Sequence, residues 1–439
     1  MADYRMGDML RLGQSLRAEP AHLLSNNLRG LDHVAHHLQA RLAGKPLRAY
    51  YMYCLAGYLA PHVTGRRKEL LYRQLPFLLE GIITIQYLHN RQLDDKASVD
   101  EWKQLLLDAN LLKDSLYRYV EERLPQAARP AVRNWLSACF SATDRGQQLE
   151  RQANTYAAYR RGITLGDCQA LVPECATHDL RAYGTERFAA HLRAELPGHL
   201  HPALEIYLHR AYLTCAHLFI RTAELLCDLQ RIGGKQRTAV LRFAVNYGMM
   251  RQIVNDNADF VPAGYGLSTI GRPAAAAQSD LRRGVLTLPL ICALAHQPRG
   301  MVAELLSDPT KEVDQAAVFA EMIAGGALGQ SMQAGQLLAE LAVSLIPATA
   351  EATAPVSLLA ATTEIAFDSR FLRPCRAHAA YAAYRKTAAH RRRLGLIRRV
   401  RAARFQAPAP PVPTLVERIA TIFRPAGLPD FPAGWELLT

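Results

Sequence analysis

The chain has 439 residues, 50% of them hydrophobic and 21% charged, with only 27 glycines and a formal net charge of +13. This composition excludes a disordered or collagen-like chain and is enough for a core of several hundred residues. No charge-free apolar run reaches the length of a membrane span, and the amino-terminal MADYRMGDMLRLGQSLRAEP is charged where a signal peptide needs an apolar stretch, so a cytoplasmic protein is expected.

From residue 5 to about 372 apolar residues recur at intervals of three and four, as in EIYLHRAYLTCAHLFIRTAELLCDLQRI and AVFAEMIAGGALGQSMQAGQLLAELAVSLI, and alternating segments bounded by turns are absent. The pattern predicts an all-α bundle of more than ten helices, with breaks near GRRK, LPQAARP, ELPGHLHP, IGGK and the irregular VPAGYGLSTIGRPAAAAQSD. The eight cysteines form no CxxC pair and are expected to be reduced core thiols.

The charge is local. Eleven Lys and Arg and no acids lie between Arg373 and Arg404, leaving the rest of the chain near neutral. Three parts follow: a helical domain over 1–372, a basic helical segment over 373–405, and a Pro-rich linker with a short amphipathic piece over 406–439. The basic segment is either a solvated helix or a contact for an anionic membrane face. No nucleic-acid-binding module is recognisable, so nucleic acid is not expected as a partner.

Taken in chain order, five segments carry candidate chemistry: GKPLRAYYMYCLAG, EGIITIQYLHN, GQQLE, YAAYRRGITLGDCQ, and YGMMRQIVNDNADF with the downstream GRPAAAAQSDLRRGVLTLPLICAL. In the last of these, Asn255 and Asp259 share a helix face with Asp256 beside them. Amide and carboxylate oxygens are hard ligands, and Mg²⁺ commonly takes one or two carboxylates with waters and substrate phosphates. The spacing suits a metal that holds a diphosphate; an ordinary polar helix end has the same composition.

The last segment resembles the second aspartate-rich region of the trans-polyprenyl diphosphate synthases. There a Gly, a Gln-Ile and DDxxD precede a Gly-Lys-Pro, an Asp-Leu and a Thr-Leu-Pro-Leu. Gly248, Gln252, Ile253, Asp256, Asp259, Asp280, Leu281, Gly284, Thr287, Leu288 and Pro289 match, and Arg272 takes the place of the lysine in Gly-Lys-Pro. GKPLR resembles the helix whose Lys and Arg grip the isopentenyl diphosphate, here Lys45 and Arg48. EGIITIQYLHN resembles the helix leading into the first aspartate-rich motif, and GQQLE a Gly-Gln-x-Leu-Asp turn. The likeness covers roughly residues 30–372, with an insertion between 150 and 225 and closing helices from Asp314 to Phe371.

The resemblance implies an isoprenoid-synthase-type bundle around a central apolar cavity, with Mg²⁺ as cofactor. The expected substrates are an allylic isoprenyl diphosphate and, for chain elongation, isopentenyl diphosphate. A homodimer and peripheral membrane contact through the basic tail stay open. Two acidic patches serve because ionising an allylic diphosphate means stabilising a leaving group of high negative charge.

The sequence departs from the family at the first motif. In the register fixed by Glu80 and His89, DDxxD becomes Asn90, Arg91, Gln92, Leu93, Asp94; a rival register uses Asp94, Asp95 and Asp100. Ile83 replaces a histidine, Val285 a lysine, and TCAHLF stands where the Lys-Thr-Gly helix is expected. YAAYRRGITLGDCQ also resembles the Arg-Arg-x-Thr-x-Gly helix of bacterial class I terpene synthases. Arg160 or Arg161 would then take the diphosphate, unless the two are a plain surface pair.

The candidate metal ligands are accordingly Asn90, Asp94, Asn255, Asp256 and Asp259. The diphosphate-binding set is Lys45, Arg48, Arg160, Arg161, Gln252 and Arg272, with Asp94, Asp256 and Arg161 as catalytic candidates. Three functions remain open: a divergent prenyltransferase, a class I terpene cyclase on the same scaffold, and a catalytically silent partner subunit or prenyl-diphosphate binder. The bulk of Thr84, Ile85 and Tyr87, expected to line the pocket, would set product length, and Tyr87 suggests a short cavity.

Overall fold

The computed structural model describes residues 12, 14–16, 31–43, 46–93, 98–183, 185–260, 278–308 and 310–346. Lys45, Asp94, Asp95, Arg272, the basic segment and the Pro-rich tail lie outside the described residues.

The described chain is helical from end to end. Its helices are α1 Asp32–Ala43, α2 Leu47–Leu59, α3 Gly65–Glu69, α4 Leu75–Leu93, α5 Val99–Arg123, α6 Arg129–Gln152, α7 Tyr156–Arg160, α8 Glu174–Ala182 and α9 Thr185–Glu195. They continue as α10 His201–Ala211, α11 His217–Gln230, α12 Gly234–Ala258, α13 Ser279–Arg282, α14 Leu288–His296, α15 Met301–Ser307, α16 Gln315–Ala324 and α17 Ala327–Ser344. Two π-helical turns, Leu70–Gln74 and Tyr212–Ala216, splice α3 to α4 and α10 to α11.

The breaks follow local chemistry. Pro125 and Pro197 close the preceding helices, Pro130 and Pro202 sit in the first turns of α6 and α10, and Arg231 at φ 56° ends α11 ahead of the IGGK turn. GRRK differs from expectation. The interruption lies just upstream, and GRRKE is the short helix α3, begun at Gly65 with φ 59°.

α12 is the central helix. From Val240 to Asn257 its buried residues fall on every face, as expected of a helix enclosed by others, and it packs against α17, α11 and the π turn at Tyr212–Ala216. A block of aromatic rings joins it to α2 and α11: Tyr51 lies 4.9 Å from Phe219 and 4.8 Å from Tyr247, centroid to centroid.

Two glycines set the spacing around that π turn. A β-carbon at Gly248 would overlap the Ala216 backbone, and one at Gly146 would lie 2.7 Å from Thr214 Cγ2. α6 and α12 therefore close on the turn from two sides, which brings the carboxyl ends of both helices to one end of the bundle.

Other ties fix the periphery. Asp108, 2% exposed, accepts hydrogen bonds from His37 Nε2 at 2.9 Å and Gln104 Nε2 at 2.7 Å, with His33 Nε2 3.3 Å away, which joins α1 to α5. All described cysteines except Cys175 are buried, and none forms a disulfide. Among the described residues no helix is long and apolar enough to cross a membrane.

Candidate functional site

At the end of the bundle where α6 and α12 finish lies a cavity of about 230 Å³. α2 supplies Arg48, α4 supplies Ile83, Gln86, Tyr87 and Asn90, and α6 supplies Gln147, Glu150 and Arg151. Arg210, Thr214, Cys215 and Leu218 come from α10 to α11, and Gln252, Asn255, Asp256 and Asp259 from α12 and its C-cap. Ser279, Asp280 and Arg283 complete the wall. The apolar part is confined to Ile83, Tyr87, Cys215 and Leu218, and the rest of the lining is charged or hydrogen-bonding.

A buried ionic network forms one side. Arg210 donates from Nε to Glu150 Oε2 at 2.8 Å, again from Nη2 to the same oxygen, and from Nη1 to Asp256 Oδ1 at 3.5 Å. Arg283 donates from Nη1 to Glu150 Oε1 and from Nη2 to Asp280 Oδ1, each at 3.0 Å. Glu150 thus holds two guanidinium groups, one on each oxygen. The fork geometry of arginine makes such pairs short and directional.

Asp256 sits near the carboxyl end of α12, the end where the helix dipole disfavours an anion. Three donors offset this. Tyr207 Oη donates to Oδ2 at 2.8 Å, Gln252 Nε2 to Oδ1 at 2.7 Å, and Arg210 adds its charge. Asp259 turns back on its own chain: Oδ1 accepts from Ser279 Oγ at 3.2 Å and Oδ2 from the Asp280 backbone N–H at 2.9 Å.

The protonation behaviour follows from burial and partner. Burial raises the Glu150 pKa, but Arg210 and Arg283 outweigh it and leave Glu150 below the ordinary carboxylate value. For Asp256 burial wins over Arg210, Tyr207 and Gln252, and its pKa lies above the ordinary value. Asp280 is held well above it, by burial first and then by the neighbouring Asp259. Burial lowers the Arg210 pKa, and Glu150 and Asp256 more than reverse that, so Arg210 stays cationic.

Two backbone hydrogen bonds bring Arg283 to Glu150. Tyr156 N–H donates to the Gly284 carbonyl at 2.7 Å and Leu286 N–H to the Asn154 carbonyl at 2.9 Å, stitching the chain after α6 to the chain before α14. On the other side Glu80, fully buried, accepts from Arg41 Nε at 2.9 Å and from the Ala49 N–H at 2.8 Å. That bond fixes the first turn of α2, which carries Arg48.

No protein-family model matches the chain. It is 29% identical over 96 residues to the chloroplastic solanesyl diphosphate synthase 2 of Arabidopsis thaliana, a match spanning 22% of this chain and 22% of that protein. Solved structures match over far more of the chain. A polyprenyl synthase from Caulobacter crescentus, complexed with calcium and isoprenyl diphosphate, superposes with a TM-score of 0.59 at 18% identity, covering 84% of this chain and 100% of that one. A geranylgeranyl pyrophosphate synthetase from Pyrococcus horikoshii gives 0.56 at 12% identity, covering 82% and 97%. The chain has the fold of the trans-polyprenyl diphosphate synthases.

Within the polyprenyl synthase fold, the candidates of the sequence divide. Arg48, Asn90, Gln252, Asn255, Asp256 and Asp259 all reach the one cavity. Arg160 and Arg161 do not: both are exposed, and Arg160 lines a second groove with Thr155, Tyr156, Arg282, Leu305 and Ser307, which shares Arg283 with the cavity. The helix carrying them ends at Arg160 and is too short to reach inward. Arg91, at a ligand position of the first motif, pairs instead with Glu101 of α5, and Asn90 Oδ1 accepts from Gln147 Nε2 at 2.5 Å. Of the three residues expected to control chain length, Tyr87 lines the cavity and is 52% exposed, whereas Thr84 and Ile85 are buried in the packing of α4.

The described residues do not fit the Mg²⁺ cluster that the resemblance implies. All four carboxylate oxygens of Asp256 and Asp259 already accept from protein donors. Asn90 is neutral, and among the described residues no group of three or more His, Cys, Asp or Glu side chains is arranged to hold an ion.

Sequence reasoning missed Arg210 and Arg283. Arg210 stands one turn before Thr214 in an otherwise apolar run, and a lone arginine at such a place implies a buried acid. Arg283 lies between the Asp-Leu and Thr-Leu-Pro matches, at a position that carries no motif residue.

Proposed function

We propose that the protein is a divergent polyprenyl diphosphate synthase-like prenyltransferase whose cavity receives an allylic isoprenyl diphosphate, its head group against Arg48, Arg210 and Arg283. The observation that supports this best is the convergence of Arg48, Asn90, Gln252, Asn255, Asp256 and Asp259, drawn from separate parts of the chain, on one hollow of a polyprenyl synthase fold. The prenyl chain would start against Ile83, Tyr87, Cys215 and Leu218.

Departure of the diphosphate from the allylic carbon leaves a highly charged anion and a carbocation. Guanidinium groups that keep their charge at every working pH are suited to the first, because arginine binds phosphate oxygens bidentately. The apolar wall beside them keeps water from the second. Tyr87 at the rim limits how far the prenyl chain extends along that wall, which favours the shorter allylic diphosphates as substrates.

A second reading is a silent prenyl-diphosphate binder or partner subunit, favoured by the engagement of every carboxylate oxygen of Asp256 and Asp259 in an internal hydrogen bond. The terpene cyclase reading loses support, since Arg161 stands outside the cavity.

Purified protein incubated with geranyl, farnesyl or geranylgeranyl diphosphate, with and without isopentenyl diphosphate, in Mg²⁺ buffer, tests the choice by product analysis. Longer diphosphates are the expected result. Substrate bound and recovered unchanged supports the second reading, and volatile hydrocarbons would restore the cyclase.

A further inference from the structure

Among the described residues, carboxylates do not outnumber cations at the cavity before any ligand arrives. Arg48, Arg151, Arg210 and Arg283 meet Glu150, Asp256, Asp259 and Asp280, and the remaining cation, Arg41, is matched by the buried Glu80 at 2.9 Å. A pocket that collects several divalent cations needs a clear excess of carboxylate, and the described residues of this lining supply none. It has instead two guanidinium groups pinned by a single carboxylate, Glu150, with a third, Arg48, on α2.

We propose that this site takes a diphosphate group without a divalent cation, and that Arg210 and Arg283, positioned by Glu150, stand in for the bridging metal. The inference rests on the isoprenyl diphosphate reading above. Arg210 Nη1 is held to Asp256 only at 3.5 Å, at the limit of a hydrogen bond, so a phosphate oxygen that approaches Nη1 finds a weakly engaged donor while Nε and Nη2 stay on Glu150. Glu150 is a positioning residue. Its two oxygens hold the two guanidiniums side by side, with a spread set by the carboxylate rather than by an ion.

The arrangement also assigns a role to the stitching hydrogen bonds between residues 154–156 and 284–286. They connect the Glu150 helix to the turn carrying Arg283, so the two arginines keep their separation when the head group is absent.

The test is isothermal titration of the full chain with farnesyl diphosphate and with inorganic pyrophosphate, each in EDTA and in Mg²⁺. The expected result is a farnesyl diphosphate affinity in EDTA within about threefold of that in Mg²⁺, weakening steeply with added salt as charge-assisted contacts do. Arg283→Gln and Arg48→Gln should each weaken binding in EDTA by about tenfold or more. Arg210→Gln takes a guanidinium away from two buried carboxylates and risks unfolding, so Arg210→Lys serves as its charge-conserving counterpart. Glu150→Gln should weaken binding in EDTA, with Glu150→Asp partly restoring it.

Binding seen only in Mg²⁺ overturns this inference and leaves the proposed function standing. No binding of farnesyl diphosphate in either buffer overturns both. Unaltered affinity in Arg283→Gln and Arg48→Gln removes the arginines from the site and ends the inference as well.

Discussion

Two pairs of arginines make opposite uses of the same side chain. Arg160 and Arg161 sit in a motif-like setting and are exposed at the end of a five-residue helix, whereas Arg210, buried, and Arg283, partly buried, occupy no motif position of their own and are paired with Glu150, Asp256 and Asp280. The difference teaches that burial opposite an acid, more than local sequence, decides whether an arginine belongs to a site. His217, just past the π turn, is a control for that statement. It is buried and accepts its hydrogen bond from Arg221 rather than donating one to an acid, and burial, aided by Arg221, pushes its pKa down to about 3.

The comparison breaks first at Arg210. Arg210→Ala leaves Glu150 and Asp256 buried without their shared cation, and removal of one partner of such a network costs about 3–5 kcal/mol. Urea denaturation should read that loss; a change within experimental error would mean that the network does not hold the fold.

Next comes His217. Its pKa falls from 6.5 in the unfolded chain to about 3 in the folded one, so its contribution is fully present above pH 6.5 and is lost as pH falls toward 3. The loss should run at about 1.4 kcal/mol per pH unit in that window. Arg221 Nε donates to His217 Nε2 at 3.1 Å, a bond that protonation abolishes. The difference in stability between the wild type and His217→Gln should follow this slope; a difference independent of pH between 6.5 and 4 would contradict it.

The smallest effect is expected on the surface pair. Arg160→Ala and Arg161→Ala should each change stability by less than about 0.5 kcal/mol. Farnesyl diphosphate binding by Arg161→Ala should match the wild type, and a large loss would reinstate the terpene-synthase-like helix.

The fold was legible because helical periodicity runs through the whole body of the chain and proline or glycine marks most of the ends. The second motif was legible for a related reason, since its residues share one helix and the matches lie in a single run from Gly248 to Pro289. What the sequence conceals is pairing across distance. Glu150 and Arg283 are 133 positions apart, and Arg210 and Asp256 are 46 apart. Neither pair leaves a local pattern. At the first motif Arg91 stands at a ligand position, yet its side chain turns to Glu101.

Gly146 and Gly248 carry a lesson for anyone altering this protein. With no room for even one methyl group on either side of the Tyr212–Ala216 turn, the interior cannot be enlarged or re-lined from below by swapping residues on α6 or α12 at those points. Changes in what the protein accepts would have to arise at the rim, where Tyr87 and Asn90 have space to be replaced.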